Sequence, residues 1–176
     1  LDTTGPSASS TLAPGQLSTS GLPLRWRVTF DENVAGSFTV SDVTWTYGGD
    51  VSNVSASVSL VSGNTYEIEV NAVTGTAGSI EPFIDMISVA DAVGNPMTAD
   101  HTLPSIIYHA APTVTYLATP YDGTTVSALS ITPTISGSIT SCSAAPTLPN
   151  GLTIHPTTCV ISGPPSDAYS GAYPVT

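Results

Sequence analysis

Lysine is absent from this 176-residue chain, and Arg25 and Arg27 are its only basic side chains against thirteen acidic ones, for a formal net charge of −11. That balance repels phosphate backbones and anionic lipid surfaces, so nucleic acid is not expected as a partner. The missing lysine also removes the amine donor of a Lys–Asn isopeptide crosslink. No apolar run approaches the roughly 20 residues of a membrane-spanning helix, so no membrane insertion is expected of this segment. Charged residues are only 9% of the chain, and the Ala, Glu, Lys and Leu excess of long helices is lacking. Catalytic patterns are lacking as well. No GxSxG elbow or HExxH helix occurs, and His101, His109 and His155 are scattered over expected loop and strand ends. Glu67 and Glu69 share one strand face, whereas paired acid and base roles need a cleft between two carboxylates. The chain is therefore not expected to be an enzyme.

What is present is 15 Gly, 15 Pro, abundant Ser, Thr and Val, and 40% hydrophobic residues. This composition points to an all-β fold and away from disorder. The length suits two small sandwiches, each with a modest core. In the first, Leu24, Trp26, Val28 and Phe30 alternate with Arg25, Arg27 and Thr29, which makes a half-buried strand with both arginines on its wet face. Phe38, Val40, Val43 and Trp45 continue the pattern. Val54, Ala56, Val58 and Leu60 make another strand, Gly63-Asn64 turns it, and Tyr66, Ile68 and Val70 follow with Glu67 and Glu69 toward solvent. Further strands are expected over 80–89 and 103–108. Six or seven strands with short turns suit a Greek-key sandwich of immunoglobulin type over residues 1–109. A short linker at 110–112, Ala-Ala-Pro, leads to a second sandwich at 113–176, with Val114, Tyr116, Leu129, Ile131, Ile135 and Ile139 as strand residues and Tyr116 and Tyr121 as packing aromatics.

Two cysteines, Cys142 and Cys159, in a short β-rich chain are most simply one disulfide formed in an oxidising compartment, contributing roughly 3 kcal/mol in the chain-entropy model. Two buried free thiols are the alternative. A metal centre is less favoured, because neither cysteine belongs to a CxxC pair and His155 is the one histidine between them. Asn53-Val54-Ser55 has the form of a glycosylation sequon.

Leu148 to Pro165, LPNGLTIHPTTCVISGPP, places two short extended segments, Leu152 with Ile154 and Val160 with Ile161, between Gly- and Pro-rich turns. This stretch resembles the Ig domain found in tandem arrays on bacterial surface proteins, whose signature runs close to LPxGLxxxxxTGxISGTP. Cys159 stands where that pattern has Gly and Pro164 where it has Thr. A variant of the family carries cysteines at both places, so the resemblance implies the Cys142–Cys159 pair. In the family the GxYxVT segment continues for a few more strand residues. The last strand, ending in YPVT, is accordingly expected to be incomplete here.

The first half resembles a second group, the bacterial Ig-like repeats of large secreted adhesins. DTTGP, VTFDENV, GNTYEIEV and VADAVGN occur in the order in which those repeats carry DTTxP, VTFSExV, GxTYxVxV and xDxAGN. Related repeats hold calcium near domain junctions, and by position Asp2, Asp91 and Asn95 are the candidate ligands. The same residues suit a plain turn, with Asp91 capping backbone amides and Gly94-Asn95 supplying a positive φ. No cofactor is required otherwise.

Together these features imply a non-catalytic extracellular or cell-surface module of a longer bacterial protein, used for spacing, display or adhesion. Its partners would be neighbouring Ig-like domains or identical subunits, with any host or surface ligand unspecified. The alternatives are a filament or sheath subunit that assembles by strand complementation through the Leu1 end and the last strand, and a carbohydrate-binding accessory module.

Overall fold

The computed structural model describes residues 2–34, 36, 38–117, 128–137, 139–166 and 173–175. The chain divides into two compact units, Leu1–Ala110 and Ala111–Thr176. Both are built of strands. Among the described residues no helix is long and apolar enough to cross a membrane.

The first unit contains β1 (Ala8–Leu12), β2 (Thr19–Ser20), β3 (Leu24–Phe30), β4 (Val43–Tyr47), β5 (Asn53–Ser62), β6 (Thr65–Thr74), β7 (Ala77–Ile84), β8 (His101–Thr102) and β9 (Ile106–His109). One sheet runs β1-β3-β6-β5 and the other β2-β9-β7-β4, with β8 also on β7. All pairings in the two sheets are antiparallel except β2 with β9, which is parallel. Counting β8 and β9 as one interrupted strand, this is the immunoglobulin order, four strands against three plus a short added edge.

Period-2 burial makes the core. Leu24, Trp26, Val28 and Phe30 point inward from β3, Tyr66, Ile68 and Val70 from β6, and Ile80 and Ile84 from β7. Aromatic edges fill its middle: Trp26 meets Trp45 at 6.0 Å between ring centroids, and Phe30, Phe38 and Tyr66 contact one another at 5.2 to 5.9 Å. Such edge-to-face pairs align the positive ring edge with the negative face. The interruption between β8 and β9 leaves the Pro104 carbonyl without a ladder partner, and the buried Trp26 indole N–H donates to it at 2.7 Å.

Three expectations shift. The strand expected over 80–89 starts earlier, at Ala77, and stops at Ile84, because Asp85 opens a turn in which its carboxylate accepts the Ile87 N–H and its carbonyl the Ser88 N–H. Val40 belongs to a 3₁₀ turn, Val40–Asp42, and is exposed. Ala110 donates its N–H to Thr76, which ties it to the first unit and leaves Ala111 and Pro112 before the next strand.

The second unit contains β10 (Thr113–Thr115), β11 (Leu129–Ile131), β12 (Thr134–Ser136), β13 (Thr153–Ile154) and β14 (Ile161–Gly163). β10 pairs with β12, and β11-β14-β13 form a three-stranded sheet. The extended run expected through Ile139 ends at Ser136, where Gly137 takes φ 80°. The expected packing of Tyr121 and the role given to Leu1 lie outside the described residues.

Candidate functional site

Two places in the molecule concentrate polar chemistry. The first lies where the segment entering β1 crosses the loop between β7 and β8. The Thr98 N–H donates to the Pro6 carbonyl, and Asn95 Nδ2 reaches the Asp2 and Thr4 carbonyls at 3.4 Å each. Gly5 permits this approach, because a Cβ there would lie 1.6 Å from the Pro96 carbonyl oxygen. The crossing brings carboxylate oxygens of Asp2, Glu32 and Asp91 within 4.8 Å of one another.

Asp91 is 8% exposed and held in place by its own loop. Its Oδ1 accepts the Val93 and Asn95 N–H groups at 2.9 and 2.8 Å, and Oδ2 accepts Asn95 Nδ2 at 2.8 Å. Desolvation opposes its ionisation, yet these hydrogen bonds outweigh it and hold its pKa below the ordinary value. Glu32 moves the other way, raised first by desolvation and then by the negative charges of Asp91, Asp2 and Asp31. The cluster is thus a site of uncompensated negative charge, and three carboxylates at this spacing suit a hard cation. Of the residues expected here, Asp2 and Asp91 are brought together, and Asn95 presents its amide N–H toward Asp91. Gly94 has the expected positive φ, 93°. Glu32 was missed. It lies fifty-nine positions before Asp91 in an ordinary turn sequence, and the meeting of loops so far apart in sequence has no local signal.

The second place is the hairpin between β13 and β14. The His155 N–H donates to the Val160 carbonyl at 2.8 Å and the Cys159 N–H to the His155 carbonyl at 3.0 Å. His155 Nδ1 accepts from the Thr157 and Thr158 N–H groups at 3.3 and 3.2 Å, so this histidine caps the turn. Cys159 sits at φ 53°, in the left-handed region that favours glycine. Its side chain closes the disulfide to Cys142, with 5.4 Å between Cα atoms, and both residues are buried. The Tyr116 hydroxyl donates to the Cys159 carbonyl. At the base of the hairpin two glycines cross: a Cβ on Gly151 would lie 2.0 Å from the Pro164 oxygen, and one on Gly163 2.0 Å from the Gly151 oxygen. Nearby the Ala145 N–H donates to the Pro174 carbonyl at 3.2 Å and Val175 bridges Ala144, so backbone groups beside the last strand residues find partners within this unit.

These positions explain the LPxGL and ISG signature in physical terms, since the two glycines must be side-chain-free for the strands to meet. Residues 103–176 match the family model described as Putative Ig domain. The match is consistent with a bacterial Ig-like repeat, and it takes in β9, which its ladders to β7 and β2 assign to the first unit. Ig-like domains of this family are typically non-catalytic. No curated protein matches the chain.

Several other charged and titratable groups hold the Ig-like framework. Arg25 lies opposite Glu69 and Arg27 opposite Glu67 across β3 and β6, with side-chain contacts of 2.5 and 3.4 Å. The hydrogen bond from Arg25 is the main cause that lowers the Glu69 pKa. Asp50 ties the loop before β5 to the turn before β7, accepting the Thr76 N–H and hydroxyl at 2.9 and 2.7 Å and the Ala77 N–H at 2.7 Å. Those bonds bring its pKa to about 2. His101 Nε2 meets Ser10 Oγ at 2.8 Å, and burial lowers its pKa.

Proposed function

We propose that this chain is a structural and adhesion segment of a longer extracellular bacterial protein, in which Ig-like domains space or display neighbouring domains. The family match over residues 103–176 carries the reading. The Cys142–Cys159 disulfide supports an oxidising compartment, because cytosolic thiols are kept reduced. Both basic side chains are engaged in the Arg–Glu ladder, so binding of polyanions has no cationic surface to use. Calcium is the cofactor that this reading admits, at Asp2, Glu32 and Asp91, where it would relieve the mutual repulsion of the carboxylates. Neighbouring Ig-like domains are the expected partners.

An antibody against the purified chain should label intact producing cells, and Cys142 and Cys159 recovered from that surface should resist alkylation until reduced. Labelling confined to lysed cells, with both thiols freely alkylated, would overturn the proposal.

A further inference from the structure

Sheet edges expose unpaired N–H and C=O groups, and proteins blunt them with short strands, charges or proline. Three of the four edges in the first unit follow that rule: β1 and β4 have five residues each and β2 has two. The fourth does not. β5 has ten residues, NVSASVSLVS, with neither a charge nor a proline, and among the described residues no strand pairs with its outer side. Its ladder to β6 has two irregularities. The first places the extra residue, Asn71, on β6, and the second places Val61 on β5, so β5 itself is regular from Asn53 to Leu60.

The pattern of that regular stretch reads alike in both directions. Around Ser57, Ala56 answers Val58, Ser55 answers Ser59, and Val54 answers Leu60. A twofold antiparallel pair demands this self-complementarity, because each residue meets the counterpart reached by reversing the strand. Ser55, Ser57 and Ser59 are exposed, while Val54, Ala56 and Val58 pack against the core. Leu60 continues the apolar row and is 60% exposed.

Charge selects the same edge. Two copies that each carry −11 repel, and contact is least opposed where charge is absent. Residues 51–66 hold no charged side chain. On the adjoining strand Glu67 and Glu69 are neutralised by Arg27 and Arg25. The nearby turn Val40–Asp42 has its carboxylate folded back onto the Thr39 N–H and hydroxyl.

We propose that β5 is a self-association edge, through which two copies of this chain join their β1-β3-β6-β5 sheets by antiparallel pairing of Val54–Leu60 about Ser57. Serine hydroxyls meet on the outer face, and Leu60 is covered beside Val54 of the other copy. The inference stands apart from the proposed cellular role, since it concerns only what this edge binds.

Sedimentation of the full chain from about 1 to 100 µM, the range expected for a small, mostly backbone-mediated interface, tests it. A concentration-dependent two-copy species should appear and should strengthen as salt screens the repulsion of the two acidic bodies. Ser57→Lys places like charges opposite each other and should weaken association by at least about tenfold, whereas Ser9→Lys on the opposite edge should not. Hydrogen exchange of wild-type β5 amides should slow with concentration, a readout independent of how any variant folds. A monomer throughout the range would overturn the proposal, as would a dimer indifferent to Ser57→Lys or β5 exchange indifferent to concentration.

Discussion

In the first unit eighteen buried residues form one apolar cluster that holds Trp26 and no cysteine, with the half-buried Trp45 packed against it. In the second, the buried described residues are Ile131, Cys142, Cys159, Ile161 and Pro165, and the disulfide lies among them. Charge divides in the same way. Both arginines and all but two of the thirteen acidic residues fall in the first unit, the exceptions being Asp122 and Asp167. The difference shows how one kind of sandwich is stabilised at two sizes. A unit of about 110 residues buries enough apolar surface to hold together, while one of about 66 gains from a covalent link that limits its unfolded chain.

The largest effect should come from Trp26→Ala, which opens a cavity and strands the Pro104 carbonyl, at a cost of about 4 kcal/mol. Hydrogen exchange should show the loss in the first unit alone. Equal loss in both units would mean that the contrast between them is false. Next, Cys142→Ala with Cys159→Ala should destabilise the second unit by about 3 kcal/mol and leave the first unchanged. Pairing Cys142→Ala with Cys159→Gly should recover about 1 kcal/mol of that loss, because glycine adopts φ 53° without a Cβ penalty. Identical melting of the two double variants would show that the left-handed turn carries no cost for cysteine.

Acid should weaken the first unit through Asp50. Its folded pKa of about 2 lies below the ordinary 3.8, so its contribution is fully present above about pH 4 and is lost as pH falls through 2. Asp50→Asn should lower the melting temperature at pH 6 and flatten the acid limb between pH 4 and 2. An unchanged limb would assign acid sensitivity elsewhere. The smallest effect concerns the three-carboxylate cluster. Because the Glu32 pKa is raised in the folded state, ionised Glu32 opposes folding, and Glu32→Gln should raise the melting temperature of the first unit without calcium near neutral pH. Calcium should raise it in the wild type and much less in Asp91→Ala. A wild-type melt indifferent to both calcium and chelator would leave Asp91 as a turn cap alone.

Much of the architecture was legible where burial alternates. β3 alternates throughout, and β5 and β6 do so over Asn53–Ser59 and Thr65–Val70, and the sequence placed both arginines and both glutamates on the wet face. It could not show that Arg25 meets Glu69, because strand neighbours are set by long-range topology. β1 and β2 gave no signal, since ASSTL and TS hold little hydrophobic contrast and are ordered by the edges on which they dock. The Asp91 turn could be read from Asp, Gly and Asn in sequence. The convergence of Asp2 and Glu32 upon it depends on a backbone crossing that Gly5 allows, and a lone glycine does not announce its neighbour.

The placement of the two arginines has a consequence for proteolysis. Proteases of trypsin-like preference cleave after lysine or arginine, and this chain offers them two bonds, after Arg25 and after Arg27. Both lie within β3, hydrogen-bonded between β1 and β6, where the backbone cannot enter a protease cleft without leaving the sheet. The folded chain is therefore closed to that whole class of enzymes. Cutting at either bond reports the opening of the first sandwich and nothing else.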